Sequence, residues 1–252
     1  LGDYARFRAA LDGQRRVLLL GAGLIGCEFA NDLRASGCDV EVVDPAPQLL
    51  GRLLPPQAAA FLRAALETLG VRFHLGTTAQ AVNRAGAGLR VTLANGRQIE
   101  TDLVLSAIGL KARTALAQAA GLAINRAIVT DTGLKTSADD VYALGDCAEV
   151  AGLHMPFVMP IMQAGRALAK TLSGTPTAVQ YPAMPVVVKT PACPTVVCPP
   201  PPGVDGSWRE DVAADGVRAL YHDGAGKLRG FALVGSATKD KQMLTKEIPA
   251  LL

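Results

Sequence analysis

The sequence has little net charge and no long apolar run, and its cysteines and histidines are few and scattered. Lysine and arginine exceed aspartate and glutamate by only 3 across 252 residues. So small a surplus supports neither nucleic-acid binding nor a polybasic membrane anchor. No stretch reaches the roughly 18 consecutive apolar residues of a spanning helix, and Leu1-Gly2-Asp3-Tyr4 lacks the charged and apolar regions of a secretion signal. A cytoplasmic protein without membrane insertion is therefore expected. The cysteines number 5, and an odd count does not build a disulfide framework. Cys27 falls in the first turns of a predicted helix, where a small thiol packs well, and Cys38 and Cys147 stand alone. Cys193 and Cys198 have a spacing that redox-active pairs use, but they flank Pro194-Thr195-Val196-Val197 and run into Pro199–Pro202. That extended setting offers no helix to lower a thiolate pKa, so structural thiols are expected. His74, His154 and His222 share no ligand spacing, and no metal site is expected.

What is present points to a compact core. Hydrophobic residues make up 50% of the chain and charged ones 19%, a balance that argues against disorder. The length allows one large domain or two smaller ones.

The most informative stretch is Val17-Leu18-Leu19-Leu20-Gly21-Ala22-Gly23-Leu24-Ile25-Gly26-Cys27-Glu28. Four apolar residues suit a parallel strand covered on both faces. Gly21 permits a sharp turn, Gly23 leaves room for a phosphate, and Gly26 lets the following helix press on the strand. The N–H groups that open the helix, and its positive end, would face the phosphates of a dinucleotide. Phe29, Ala30, Leu33 and Ala35 continue an apolar helix face until Gly37. Val40–Val43 reads as a second strand ending in Asp44, 23 residues after Gly21. A carboxylate at that spacing accepts hydrogen bonds from the adenosine ribose and repels a 2'-phosphate, which favours NADH over NADPH.

Pro55–Leu69 reads as a helix opened by proline and closed by Gly70, and Val71–Leu75 as a third strand, which completes a βαβαβ unit. The alternation then breaks. Ala79–Asn83, Leu89–Ala94 and Arg97–Glu100 are short strands, the last two joined by Asn95-Gly96, a strong hairpin signal. Asp102–Ala107 returns as an apolar strand before Ile108-Gly109. A helix over Thr114–Ala120 and a strand around Ala127–Thr130 follow. Val141–Asp146 reads as a strand ending in glycine and acid, where Asp146 can bind a hydroxyl-bearing chain or simply cap a turn. A helix follows near Pro160–Leu172, and backbone N–H groups at Val158 and its neighbours would point toward an electron-rich ring bound there. After Gly174-Thr175-Pro176-Thr177 come a strand at Val186–Lys189, a hairpin of Val217–His222 with Leu228–Val234, and a helical tail, which read as a small α+β appendage.

Taken in order, Gly21–Glu28, Ser106-Ala107-Ile108-Gly109, Thr136-Ser137 through Gly145-Asp146, and Met162-Gln163-Ala164-Gly165-Arg166 resemble the pyridine-nucleotide-disulfide oxidoreductases and related ferredoxin-type reductases. Ser106–Leu110, Gly145–Glu149 and Met184–Pro194 are similar to the branch that reduces rubredoxin. The resemblance implies an α/β flavoprotein with two dinucleotide-binding domains. Its parts would be a Rossmann-like NAD domain with a β-meander (1–107), the second half of an FAD domain (108–174) and a small α+β C-terminal domain (175–252). It implies that Gly21, Gly23, Leu24, Ile25, Gly26 and Asp44 bind NADH and that Ile108 and Gly109 line the crossing between domains. Gly145 and Asp146 would hold the FAD ribityl chain, and the Val158 backbone would contact the flavin ring. Glu28 would order hydride transfer, and Lys189 would be a cation favouring the reduced flavin.

The implied activity passes electrons from NADH through FAD to rubredoxin, an acidic iron protein. The alternatives are a ferredoxin-type acceptor and a non-catalytic NADH-binding fragment. In this family an FAD-binding βαβ unit with its own glycine fingerprint lies about a hundred residues upstream of the NAD fingerprint. Only 16 residues precede Val17, so the sequence is expected to be a fragment that binds flavin weakly when alone.

Overall fold

The computed structural model describes residues 2–252. Helix α1 (Gly2–Leu11) leads into strand β1 (Arg16–Leu20), followed by α2 (Leu24–Ala35), β2 (Asp39–Asp44), α3 (Pro56–Leu69) and β3 (Arg72–Leu75). Strands β4 (Ala79–Ala85), β5 (Gly88–Leu93), β6 (Gln98–Thr101) and β7 (Leu103–Ser106) complete the first part. Then come α4 (Ala115–Ala119), β8 (Ile128–Thr130), β9 (Ala148–Val150) and α5 (Val158–Leu172). The last part holds β10 (Val186–Val188), β11 (Thr195–Cys198), β12 (Gly206–Ala213), β13 (Gly216–Asp223), β14 (Leu228–Gly235), a 3-10 turn (Ser236–Asp240) and α6 (Lys241–Glu247). Packing divides these elements into two compact units, Leu1–Gly109 with Pro185–Glu247 and Leu110–Met184 with Ile248–Leu252.

The first unit is built on a four-stranded parallel sheet of order β3-β2-β1-β7. Side chains alternate across a strand, so Val17, Leu19, Val40 and Val42 meet Cys27, Ala30 and Leu33 of α2 and Ala58, Leu62 and Leu66 of α3 on one face. On the other face Leu18 and Val43 pack against Val91, Leu93 and Ile99 of the antiparallel meander β4-β5-β6. Both faces are covered, as the continuous apolar run Val17–Leu20 requires. Pro56 opens α3, and Gly70, at φ +106°, closes it by donating its N–H to the Glu67 carbonyl. Each fully buried leucine of that helix contributes about 2 kcal/mol.

The C-terminal five-stranded sheet, order β10-β11-β14-β13-β12, lays Val197, Val217, Ala219, Ala232 and Val234 into the core that α2 and α3 share. Glu210 of β12 accepts the Ala58 N–H at 2.9 Å and so satisfies an otherwise open donor in the first turn of α3.

The second unit gathers Leu134, Ala143, Val150, Ala164, Ala167, Val179 and Tyr181. Its sheet has two strands, β8 and β9, paired in parallel. Here the expected strand at Val141–Asp146 is corrected. Among the described residues that segment makes only an isolated bridge, Tyr142 to Lys135, and the strand begins after the acid, at Ala148. An apolar run becomes a strand only beside a partner that accepts its ladder. Helix α5 starts at Val158, two residues before Pro160. The structure adds α1, strand β11 and the edge strand β12, for which the sequence carries no expected element.

Candidate functional site

At the end of β1 the chain turns through Gly21, whose φ of +111° suits glycine alone. A Cβ there would meet the Ala107 carbonyl oxygen at 2.6 Å, just past β7. At Gly26 a Cβ would overlap the Gly21 carbonyl oxygen, so the helix sits against the turn only because both residues are glycine. Gly23 differs. Its φ is −74°, and a Cβ there would meet no heavy atom within 4 Å. It is the N-cap of α2 and offers no side chain to the helix end, which leaves the N–H groups of Leu24 and Ile25 for an outside acceptor. An open space beside an uncapped helix start fits a dinucleotide pyrophosphate.

Asp44 closes the turn from β2. One carboxylate oxygen accepts the Ala22 N–H at 2.6 Å and the other the Ala46 N–H at 2.7 Å. Each oxygen keeps a lone pair for a ribose hydroxyl. The Ala22 carbonyl accepts the Leu50 N–H at 2.9 Å and the Cys27 thiol, with Leu50 held at φ +50°. Ala22 and Leu50 were not anticipated in the sequence, because what they contribute is backbone. Ile108, 81% exposed, and Gly109, at φ +126°, follow β7 beside Gly21.

One turn into α2, Glu28 accepts the Lys189 backbone N–H at 2.9 Å. Both side chains line a groove of about 390 Å³, together with Phe7 and Arg8 of α1 and Phe29 and Asp32 of α2. Glu28 and Lys189, 161 residues apart in sequence, are thereby brought together. Asn31, 3% exposed, had also been missed. Its signal was a polar residue four positions after Cys27, on the buried face of α2.

In the second unit, Gly145 has φ +88° and a Cβ there would meet open space. The Asp146 side chain is exposed, and its carbonyl accepts the His154 ring at 3.0 Å. A cavity of about 10 Å³ is lined by Gly145 and by Pro160 and Ile161 of the first turn of α5, so the glycine turn and the helix start adjoin. Phe157, the N-cap of α5, supplies no side-chain hydrogen bond, and Val158 is 68% exposed. An uncapped helix start adjoining a glycine turn that ends in an exposed carboxylate fits part of a flavin nucleotide. Gly21, Gly23, Leu24, Ile25, Gly26, Asp44, Ile108 and Gly109 thus cluster in one unit, with Glu28 and Lys189 on the adjoining groove. Gly145, Asp146 and Val158 cluster in the other.

All the cysteines are unpaired. Burial pushes the Cys27 thiol up to about 12, with Asp44 and Glu28 adding to the effect, and the Cys198 thiol up to about 11. Burial also raises Cys193. Thiols so shifted are poor nucleophiles at neutral pH. Among the described residues no group of His, Cys, Asp and Glu is arranged to hold a metal, and no helix is long and apolar enough to cross a membrane.

The family model for pyridine nucleotide-disulphide oxidoreductase matches residues 1–180, and the chain belongs to that family. A second model, the rubredoxin binding C-terminal domain, matches residues 178–248. The chain is 51% identical to a rubredoxin-NAD(+) reductase of Alcanivorax borkumensis, over 100% of its own length and 66% of the relative's. It is 50% identical to the rubredoxin-NAD(+) reductase of Acinetobacter baylyi, over 99% of the chain and 65% of the relative. The chain therefore spans just under two-thirds of these curated relatives. Among solved structures, a ferredoxin reductase of Rhodopseudomonas palustris superposes with a TM-score of 0.84 at 27% identity, covering 97% of this chain and 63% of that one.

Proposed function

We propose that this chain is the NADH-binding and electron-relaying part of a cytoplasmic flavoprotein that passes electrons from NADH through FAD to the iron centre of rubredoxin. The carrying observation is the match of the chain, from glycine turn to C-terminal sheet, to rubredoxin-NAD(+) reductases at 50–51% identity. The open helix end at Gly23, flanked by Asp44, supports the nucleotide half of that reading. The uncapped start of α5, adjoining the Gly145 turn, supports the flavin half.

In this assignment Leu24 and Ile25 donate N–H groups to the pyrophosphate of NADH. Gly21 and Gly26 make the close approach possible, and Ile108 and Gly109 border the bound nucleotide. Asp44 accepts the ribose hydroxyls and repels a 2'-phosphate. Gly145 and Asp146 receive the ribityl chain, and the Val158 N–H meets the flavin ring. Bound FAD supplies the step from a hydride to single electrons. Glu28 orders the donor for that transfer, and Lys189 favours the reduced flavin by its charge. Residues 1–107, 108–174 and 175–252 serve as the NAD part, the second half of the FAD part and the partner-binding part.

Stopped-flow reoxidation of the reduced flavin in the protein expressed from the complete reading frame tests the acceptor. Rubredoxin is expected to reoxidise it fastest, and a preference for ferredoxin would overturn the assignment.

A further inference from the structure

The geometry points to Asn31 as a positioning residue for Lys189. With Glu28 one turn earlier, it grips the Lys189–Ala192 backbone by two side-chain hydrogen bonds and so fixes where the lysine side chain leaves the chain. The idea deepens the reading of Lys189 as the cation that favours the reduced flavin, and rests on it.

Residues three apart on a helix share a face. Glu28 and Asn31 are three apart on α2, and the groups they hold are three apart on the facing loop. Glu28 accepts the Lys189 N–H at 2.9 Å, and the Asn31 carbonyl oxygen accepts the Ala192 N–H at 3.1 Å. The Asn31 amide nitrogen donates to Asp32 at 3.2 Å, so its polar head is used at both ends. Asparagine is a weak helix former, and burying its amide is unfavourable unless the amide is hydrogen-bonded. At 3% exposure in mid-helix, on the face where Cys27 and Ala30 pack, an apolar residue would serve packing alone.

The loop needs such support. Residues 189–194 join β10 to β11, which pair antiparallel with Val188 opposite Thr195. Six residues are too many for the self-determined two-residue turns, and Pro191 and Pro194 lack N–H donors. Within the loop, the Cys193 N–H bonds the Thr190 carbonyl at 2.8 Å, and the Thr190 hydroxyl donates back to the Cys193 carbonyl at 2.8 Å. That pair fixes the loop internally. The bonds to Glu28 and Asn31 fix it to α2, the helix whose N-terminus forms the glycine turn. The exposed Lys189 side chain then lines the groove beside Glu28 from an anchored backbone.

The test uses the FAD-loaded protein from the complete reading frame. Hydrogen exchange read by mass spectrometry reports the 189–193 loop, and redox titration reports the flavin midpoint potential. Asn31→Ala is expected to speed exchange at Ala192 about tenfold. It should also move the potential negative, in the direction of Lys189→Met and by less. Asn31→Asp keeps the acceptor oxygen but loses the donor to Asp32, so it is paired with Asp32→Asn, whose amide can donate in return, and the pair should restore protection at Ala192. In a Lys189→Met background, Asn31→Ala should move the potential no further, an outcome that a merely structural residue would not produce. Wild-type potential in Asn31→Ala, with a shift in Lys189→Met, overturns the positioning role and leaves the reading of Lys189 intact. No shift in Lys189→Met overturns both. Should Asn31→Ala fold poorly, Asn31→Ser, whose hydroxyl falls short of Ala192, carries the same expectations.

Discussion

The two glycine turns of this molecule, Gly21–Gly26 and Gly145–Asp146, to which the proposed function gives similar chemistry, stand on different foundations. The first ends a strand with a parallel partner on each side, and its Ala22 amide is held by Asp44 from the neighbouring strand. Gly21 and Gly26 lie against backbone, as the clashes a Cβ would make at each attest, while Gly23 faces open space. The second follows Val141–Leu144, which pairs only through Tyr142, and a Cβ at Gly145 would meet open space. Elsewhere in the same unit Leu116, Val158 and Leu172 stand exposed, at 86%, 68% and 67%. A nucleotide cradle is made by what braces the turn as much as by the turn. On that criterion the first turn is braced from both sides and the second is not.

The sharpest way to break this comparison is to add a side chain at each turn. Gly26→Val drives methyl groups into the Gly21 carbonyl, and is expected to destabilise the first unit by about 3 kcal/mol and to abolish NADH binding. Gly145→Ala adds a methyl to empty space, and only its positive φ resists, which costs about 1 kcal/mol. Chemical denaturation and NADH fluorescence titration check both. Equal effects would mean that the two turns are equally braced.

Next in size is Asp44→Ala, which strips the acceptors from the Ala22 and Ala46 amides and, in the proposed function, from the ribose. Hydrogen bonds to a charged group are each worth about 1.5–3 kcal/mol. NADH affinity is therefore expected to fall by about tenfold or more, and the preference over NADPH to narrow, both readable by parallel titrations.

A smaller effect comes from the far end of the sheet. The Arg16 guanidinium donates to Asp102 at 3.0 Å, and the Arg16 and Arg15 backbone N–H groups donate to its other oxygen. These bonds, the guanidinium's first, hold the Asp102 carboxyl at about 2 against an ordinary 3.8. A carboxyl lowered on folding stabilises the fold above its ordinary pKa, and that contribution disappears as the pH falls from about 4 to about 2. Solvent screening reduces the gain to about 1 kcal/mol. Acid titration of stability should show this loss, and Asp102→Asn should lack it.

The smallest expected change, about 0.5–1 kcal/mol, is for Glu210→Ala, which opens the first turn of α3. Thermal denaturation should detect it as a Tm lowered by a few degrees, without a change in NADH affinity.

Legibility in the sequence followed the same divide. Val17–Glu28, Val40–Asp44 and Asn95-Gly96 were readable because local pattern and tertiary setting agree there. Strand β12, GSWREDVA, was not, because an edge strand with mostly exposed side chains has no apolar alternation to show. Helix α1 buries only Phe7 and carries almost no amphipathic signal. Val141–Leu144 misled because an apolar run states a preference and the ladder beside it decides the outcome. The tight turn at Gly21 and Gly26 could be read from spacing, while the grip of Glu28 and Asn31 on residues 161 positions away could not.

The most direct test of the central contrast is a pair of titrations on the 252-residue chain, NADH against FAD, by calorimetry and absorption. Saturable, stoichiometric binding of NADH with a colourless protein that retains little FAD is the predicted result. A stoichiometric yellow protein, or one that binds no NADH, would contradict it.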